Sequence, residues 1–569
     1  MAEPRDPVNL LRPGHVAGRF KRRLNRFVKA GPGRFQFWLL ALLIGSGAGF
    51  VAVLFRKGIF ALQGWLYGTD DPSHLHSFAE TIAWYWILLI PVAGGAVVGM
   101  ILHRFTPDGR VRSVADVIEG AALAEGRVEI RAGLASALAS WITLSTGGST
   151  GREGPVVHLA AVISTWVSNR INADGITGRD LLGCAVAAAV SASFNAPIAG
   201  TLFALEVVLR HFAVHAFAPI VIAAVAGTVI SRLEFGDVTE FVLPGEAMLQ
   251  FYVELPAFLV LGLVCGVVAV VLMRSVFWSE EVGDLIMSRL RLPRYTRPIL
   301  AGFLLGGLAI WFPHVIGVGY ETTSAALTGE VLLWEAVVFA ILKAAAVAIT
   351  IAGRMGGGIF SPSLMMGALT GLAFGLIATP IFPAVSGSET LYALAGMGAV
   401  AAAVLGAPIS TSLIVFELTG DWQTGLAVMA AVSISTALAS TLVDRSFFLT
   451  QLERRDVHLA AGPQAYLLSV LRCDRHMRQT GAEDCPSFKD LRAEMGQGLW
   501  LPGDATLETA LTMFDNVAGR HDFITILSRS PDGDQTEDMD ALIAGALFHV
   551  DALSAYSQAL ADTAAEEHS

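Results

Sequence analysis

The sequence predicts an all-α polytopic membrane protein that mixes full and half-spanning helices, followed by a small α/β cytoplasmic domain. Three observations lead there. The 569 residues are 54% hydrophobic and only 15% charged, with a mean hydropathy of +0.59, more apolar surface than a soluble core can hide. Segments 37–55, 83–102, 255–273, 298–312 and 333–352 each cross, or nearly cross, a hydrocarbon layer of about 30 Å, which takes ~20 helical residues. Segments 362–378 and 390–405 are shorter and interrupted by glycine or proline, as expected where half-helices end near the midplane around a binding site.

Residues 1–35 carry Arg5, Arg12, Arg19, Lys21, Arg22, Arg23, Arg26, Lys29 and Arg34 against Glu3 and Asp6. Basic residues flanking a first span stay inside, so both this arm and the C-terminal end are expected to be cytoplasmic in a cell inner membrane. A flank of this kind reads as a topology signal and a contact for acidic lipid rather than as a nucleic-acid site. The first apolar stretch begins too late and runs too long for a cleavable signal peptide. Cys184, Cys265, Cys473 and Cys485 are scattered without zinc-like spacing, and neither a disulfide framework nor a metal is expected.

The run Gly151-Arg152-Glu153-Gly154-Pro155 puts an acid at the entrance to an apolar stretch. An ionised carboxylate in hydrocarbon costs at least a few kcal/mol, so it is expected to face a partner or an aqueous path, which suggests an ion route. Repetition is the second signal. Ala196-Pro197 and Ala407-Pro408 open two alignable segments, with Leu202 and Leu413 at one matched position and Glu206 and Glu417 at another. Gly154-Pro155 precedes the first segment and Gly358-Ile359-Phe360-Ser361-Pro362 the second. Proline favours the first turn of any helix, but the shared order favours two related halves, and inverted halves put a site at their interface.

GREGP at Gly151 to Pro155 and GIFSP at Gly358 to Pro362, with Phe194-Asn195-Ala196-Pro197 and Phe416-Glu417-Leu418-Thr419, make residues 36–455 resemble the CLC family of chloride channels and chloride/proton exchangers. The resemblance implies a homodimer with one pore per subunit and an inverted repeat that points helix N-termini at an anion. Glycine before a helix lets backbone N–H groups approach a ligand at the positive end of the dipole. Carried over by motif, the resemblance implies anion contacts from Gly151, Arg152, Gly154, Gly358, Ile359 and Phe360, and makes Glu153 the gate, its carboxylate taking the anion's place.

Three departures from the family pattern bear on mechanism. At the first pore motif the chain reads Val111-Arg112-Ser113-Val114-Ala115-Asp116; an ungapped match, the one preferred, puts Arg112 at the pore-serine position, and a one-residue shift puts Ser113 there. Phe448 stands where the family has a tyrosine that touches the anion. Val207 occupies the position of the inner proton-carrying glutamate, with Glu206 adjacent. Valine carries no proton, so uncoupled, channel-like chloride movement is expected over chloride/proton or fluoride/proton exchange.

Residues 456–569 turn polar. An amphipathic helix through Asn516, a β piece at Phe523 to Leu527, a second piece over 541–550 and a helix from Asp551 resemble one CBS motif. The family often pairs two such motifs around an adenine nucleotide; with one, no cofactor is expected and a regulatory or dimer-stabilising role is as good a reading. Gly147-Gly148-Ser149-Thr150-Gly151 lacks the Gly-Lys-Ser/Thr of a phosphate loop, and no catalytic motif is present, so an enzyme is not expected. A non-transporting membrane sensor is the alternative from another class.

Overall fold

The structure, a computed structural model, describes residues 34–69, 71, 74–212, 214–236, 241, 254–383, 386, 388–457, 459, 468, 471–482, 484–516, 521–528 and 542–567. The basic arm up to residue 33 and Asp532-Gly533-Asp534 lie outside the described residues. The chain divides into two compact units, Met1–Leu209 with Ala216–Val457, and Arg210–His215 with His458–Ser569.

The first unit opens with α1 (Arg34–Tyr67), α2 (Leu75–Ala79), α3 (Trp84–Phe105), α4 (Val114–Leu123), α5 (Ile130–Ser145), α6 (Glu153–Ile171), α7 (Gly175–Phe194) and α8 (Pro197–Phe203), which runs on into a π-helical turn at Ala204–Leu209. It continues with α9 (Val214–Phe235), α10 (Leu255–Leu290), α11 (Arg297–Trp311), α12 (Tyr320–Thr328), α13 (Leu333–Ala352), α14 (Phe360–Ile381), α15 (Glu389–Leu405), α16 (Pro408–Thr419), α17 (Trp422–Leu442) and α18 (Phe447–Glu453). Among the described residues seven helices are long and apolar enough to cross a membrane, interleaved with shorter apolar ones at Pro197–Leu209, Glu389–Leu405 and Pro408–Thr419. Exposed tryptophans cluster at helix ends, Trp65 on α1, Trp84 on α3, Trp311 on α11 and Trp334 on α13, where amphipathic rings prefer the headgroup level.

Three spans differ from expectation. α14 is a full 22-residue helix. Its Gly371 is a contact point rather than a break, since a Cβ there would lie 2.1 Å from the Tyr392 carbonyl of α15. α9 and α17 are two spans absent from that expectation, as apolar as the others, and each has a hydroxyl satisfied on a backbone carbonyl. Ser231 Oγ donates to Ala192 O at 2.9 Å, and Ser433 Oγ to Met429 O at 2.7 Å. A hydroxyl satisfied on a backbone carbonyl costs a spanning helix little. α3 and α11 meet backbone to backbone through Gly95 and Gly302, whose Cβ atoms would fall 2.2 Å from Pro298 O and 2.3 Å from Pro91 O. Without a hydrophobic drive between helices in lipid, such close approach is a main source of attraction.

The repeat closes on itself. α7 and α15 both end in a left-handed residue, Asn195 (φ 58°) and Gly406 (φ 68°), and α8 and α16 both begin with proline. Glu417 of α16 accepts from the N–H groups of Ile198 and Ala199 at 3.0 and 2.7 Å, capping α8. Glu206 reciprocates, accepting from Ile409 N, Ser410 N and Ser410 Oγ at 2.9, 2.8 and 2.7 Å, capping α16. Each half thus supplies the acceptor for the other half's orphan helix donors.

The second unit is α/β. Its four-stranded sheet has the order β1 (Arg478–Gln479), β4 (Ile543–Phe548), β3 (Phe523–Leu527), β2 (Trp500–Pro502), with β2 parallel to β3 and the other pairs antiparallel. The helices Cys473–His476, Phe488–Gly496, Leu507–Asn516 and His549–Glu567 are α19 to α22. Leu501, Leu507, Phe514, Ile524, Ile526 and Leu547 form its core.

Replacing Glu417 or Glu206 with alanine strands two or more helix-start donors. A loss of about 1–3 kcal/mol is expected from each, read as a lower midpoint in thermal unfolding of the detergent-solubilised protein, with Glu206→Gln intermediate.

Candidate functional site

Three helix starts open on one cavity of about 250 Å³. Ser113, Gly154, Ile359 and Phe360 all line it, from the first turns or N-caps of α4, α6 and α14. Proline stands third in both α6 and α14, Pro155 and Pro362, where a missing donor costs nothing because first-turn N–H groups have no intrahelical partner. The segments leading into α6 and α14 are joined by an antiparallel bridge, Gly151 N to Gly358 O at 2.6 Å and Gly358 N to Gly151 O at 2.7 Å. A Cβ on Gly358 would lie 3.0 Å from Gly154 N, and one on Gly151 would lie 2.5 Å from Glu153 Oε2, so the glycines set how closely the two starts approach.

Glu153, the first residue of α6, is buried on the cavity wall. Ser361 Oγ donates to its Oε1 at 2.6 Å and Tyr320 OH donates to the same oxygen at 3.1 Å. Oε2 has no hydrogen-bond partner. The carboxylate is therefore held from one side, and its other oxygen is buried without compensation, at a cost of about 1–3 kcal/mol or more. The Arg152 guanidinium is directed away from the cavity, over the Tyr320 ring at 5.1 Å and to Ser193 O at 3.3 Å.

Ser113, not Arg112, faces the cavity, which corrects the preferred ungapped register. Ser113 is the extended N-cap of α4, its N–H donating to Asp116 Oδ2 at 2.7 Å. One residue earlier, Arg112 turns outward to Asp108 at 2.7 Å and Glu129 at 2.8 Å. Burial alone would lower the Arg112 pKa, but the hydrogen bonds to those carboxylates outweigh it and raise it. Burial likewise pushes Asp108 up, and Arg112 and Arg110 overcome it to hold Asp108 well below the usual range. A guanidinium so paired offers nothing to a passing anion.

Phe448 lines the cavity from α18, and its ring meets Phe447 edge-on at 5.9 Å. Gln451, one turn further along α18, also lines it and brings Oε1 to 3.5 Å from Ser113 Oγ. Thus the aromatic narrows the passage while an amide and a hydroxyl supply polar groups beside it. Phe360 packs on Phe194 and Phe203 at 4.7 and 5.8 Å. Further out the wall becomes charged, with Arg110, Arg297, Arg354, Arg454 and Arg455 against Glu280 and Asp284. Gly151, Arg152, Arg112, Val207 and Glu206 are not on the wall. Val207 is buried in the π-helical turn, and Glu206 is committed to its cap.

Sequence reasoning missed Tyr320, Gln451 and Lys343. Lys343 is wholly buried in α13 and donates to the carbonyls of Gly317 and Val315 at 2.9 and 3.4 Å, fixing the Gly317-Val318-Gly319 turn that aims Tyr320. The only signals available were that glycine pair before a tyrosine and the i, i+3 spacing of Phe448 and Gln451. Beside Tyr320, Glu321 pairs with His76 at 2.9 Å, and the His76 ring lies 4.3 Å from that of His314.

The fold and cavity together define a polytopic membrane protein whose two halves present helix N-termini and a buried carboxylate to one shared chamber. The chain belongs to the CLC family, matching the family described as voltage gated chloride channel over residues 94–440. It is 31% identical over 397 residues to a ClcB-like protein of Ralstonia nicotianae, covering 69% of this chain and 91% of the relative. To the chloride channel protein CLC-f of Arabidopsis thaliana it is 30% identical over 430 residues, covering 71% and 54%. The solved structure of a slow cyanobacterial Cl⁻/H⁺ antiporter superposes with a TM-score of 0.65 at 22% identity, covering 74% of this chain and 98% of that one. A CLC-type fluoride/proton antiporter superposes at 0.59 and 22%, covering 71% and 95%.

Burial and the neighbouring His76 lower His314 from the ordinary 6.5 to about 4. Because the folded-state value is depressed, its neutral form stabilises the fold above pH 6.5, and that contribution is lost as pH falls from 6.5 toward about 4. Thermal midpoints measured across this window should fall for the parent protein and fall less for His314→Gln.

Proposed function

We propose that this chain moves chloride, or a similar small anion, through each subunit of a homodimer by an uncoupled, channel-like route gated by Glu153, without covalent chemistry. The observation that carries the reading is the one-sided hold on the Glu153 carboxylate, Oε1 bound by two hydroxyls and Oε2 bound by nothing. A carboxylate held this way competes poorly with an arriving anion, and moving it aside opens the cavity. Protonation would act in the same direction, so low pH and high chloride both favour the open form. The absence of coupling is supported by Val207, which has no titratable group, and by Glu206, whose three hydrogen bonds require an acceptor.

The arginine-bearing face of the cavity shares its side of the membrane unit with the start of α1, by the alternation of the spans. The positive-inside rule makes that side cytoplasmic, in a cell inner membrane, with both termini on it. Homodimerisation enters this reading as what membership of the CLC family implies. The α/β unit serves regulation or dimer stability, with no nucleotide required.

A second reading is coupled chloride/proton or fluoride/proton exchange. It is favoured by Glu280, a carboxylate on the same cavity wall as Glu153 and toward the charged mouth. Chloride and proton fluxes measured together from proteoliposomes separate the two. Chloride efflux without uphill proton movement in the parent supports the uncoupled route. A fixed ratio of the two ions, with proton movement lost in Glu280→Gln while chloride continues, supports exchange. No chloride flux at all from the folded parent would return the chain to the sensor class.

Glu153→Gln should remove the dependence of chloride flux on pH. Tyr320→Phe and Ser361→Ala each remove a hydrogen bond to the carboxylate, ~1.5–3 kcal/mol of hold, so at neutral pH chloride efflux should rise severalfold, more for the pair than for either alone.

A further inference from the structure

A second cavity, of about 930 Å³, opens where the ends of α3, α5 and α11 meet, on the same side as the charged mouth. Its rim carries Arg104, Arg131 and Arg294, all exposed. The guanidinium groups of Arg104 and Arg131 lie 5.6 and 5.7 Å from the centroid of one ring, that of Phe105. Among the described residues none of the three has a carboxylate within ion-pair distance. The carboxylate on the wall, Glu129, is taken up by Arg112 at 2.8 Å. Like charges gathered around one aromatic ring repel unless an anion is shared between them.

Deeper in, the lining turns apolar. Gly99 and Leu102 of α3 and Pro298 of α11 form the inner wall. The groove thus runs from a cationic rim to an apolar depth between the spanning helix α3 and the shorter α11. A free phosphate would use only the rim. We propose that this groove binds an anionic phospholipid, its phosphate between Arg104, Arg131 and Arg294 and its glycerol and first acyl carbons against Gly99, Leu102 and Pro298. Basic pockets between spanning helices on the cytoplasmic side suit such headgroups. The N-terminal arm, with nine basic residues against Glu3 and Asp6, has the wrong sign to fill it. Arg354 lines both this groove and the ion cavity, so a bound headgroup places negative charge beside the cavity mouth.

The test is native mass spectrometry of the delipidated full chain in detergent, titrated separately with phosphatidylglycerol, phosphatidylcholine and inorganic phosphate. The parent should retain one phosphatidylglycerol in preference to phosphatidylcholine, and phosphate should not displace it. The variant combining Arg104→Gln, Arg131→Gln and Arg294→Gln should bind that lipid roughly a hundredfold more weakly, at about 1 kcal/mol per lost cation. The lysine triple should recover most of the affinity. Equal retention of the two lipids by the parent overturns the proposal whatever the variants do. Displacement by phosphate overturns it in favour of a soluble anion, and undiminished binding by the glutamine triple overturns the assignment to this groove.

Discussion

Two hydrogen bonds between Gly151 and Gly358 hold the centre of this protein together. Inside a membrane no water is present to satisfy backbone away from helices, so irregular chain survives there only when it pairs with other chain or lines a cavity. The bridge does the first and produces the second. By tying together the segments that lead into α6 and α14, it fixes both helix starts against one space, and neither start could be moved alone without stranding a buried N–H. Side chains at these two residues would push the segments apart or strike Glu153. Small residues are therefore required by geometry before any question of ion binding arises.

The electrostatic character of the chamber follows from that geometry. Three helix N-termini, each worth up to ~2 kcal/mol toward an anion in a partly buried setting, together offer on the order of 3–6 kcal/mol, the scale of a millimolar-class site. That is strong enough to admit a small anion and weak enough to release it. A guanidinium at the narrow end would bind more tightly. The fold keeps them away from it: Arg112 is tied to Asp108 and Glu129, and Arg152 lies over Tyr320. Cations return only toward the mouth, where Arg110, Arg354 and Arg455 raise the local concentration of anions without holding one at the constriction.

How much of this could be read from the sequence depended on whether backbone or partner defined the residue. Gly154, Gly358, Ile359 and Phe360 were legible because glycine and proline at helix starts fix backbone conformation locally. The matched glutamates Glu206 and Glu417 were legible as a repeat, but not as caps, since each serves donors some two hundred residues away. Ser113 and Arg112 could not be separated, because the register turned on which residue became the α4 N-cap, and that depended on Asp108, Asp116 and Glu129 closing around the arginine. Tyr320 was invisible for the same reason: its partner is 167 residues distant, and a tyrosine after two glycines has many uses. α9 and α17 are apolar enough to be legible as spans from the sequence, and the expectation left them out.

The reciprocal caps also bear on coupling. Glu206 stands next to Val207, where the resemblance to CLC exchangers would put a proton-carrying acid, and proximity alone would make it a substitute. Its oxygens, however, accept three hydrogen bonds at the start of α16, and a protonated carboxyl gives up one acceptor site to become a donor. Each proton carried by Glu206 would therefore weaken the joint between the halves, and Glu417 fulfils the mirror-image role, so the strain would fall on one side of a paired structure. Glu280 carries no such obligation through its side-chain oxygens among the described hydrogen bonds, and its main-chain carbonyl alone accepts from Arg297. If a proton enters this protein through the charged mouth of the cavity, the acid free to receive it is Glu280 on the cavity wall, and not Glu206.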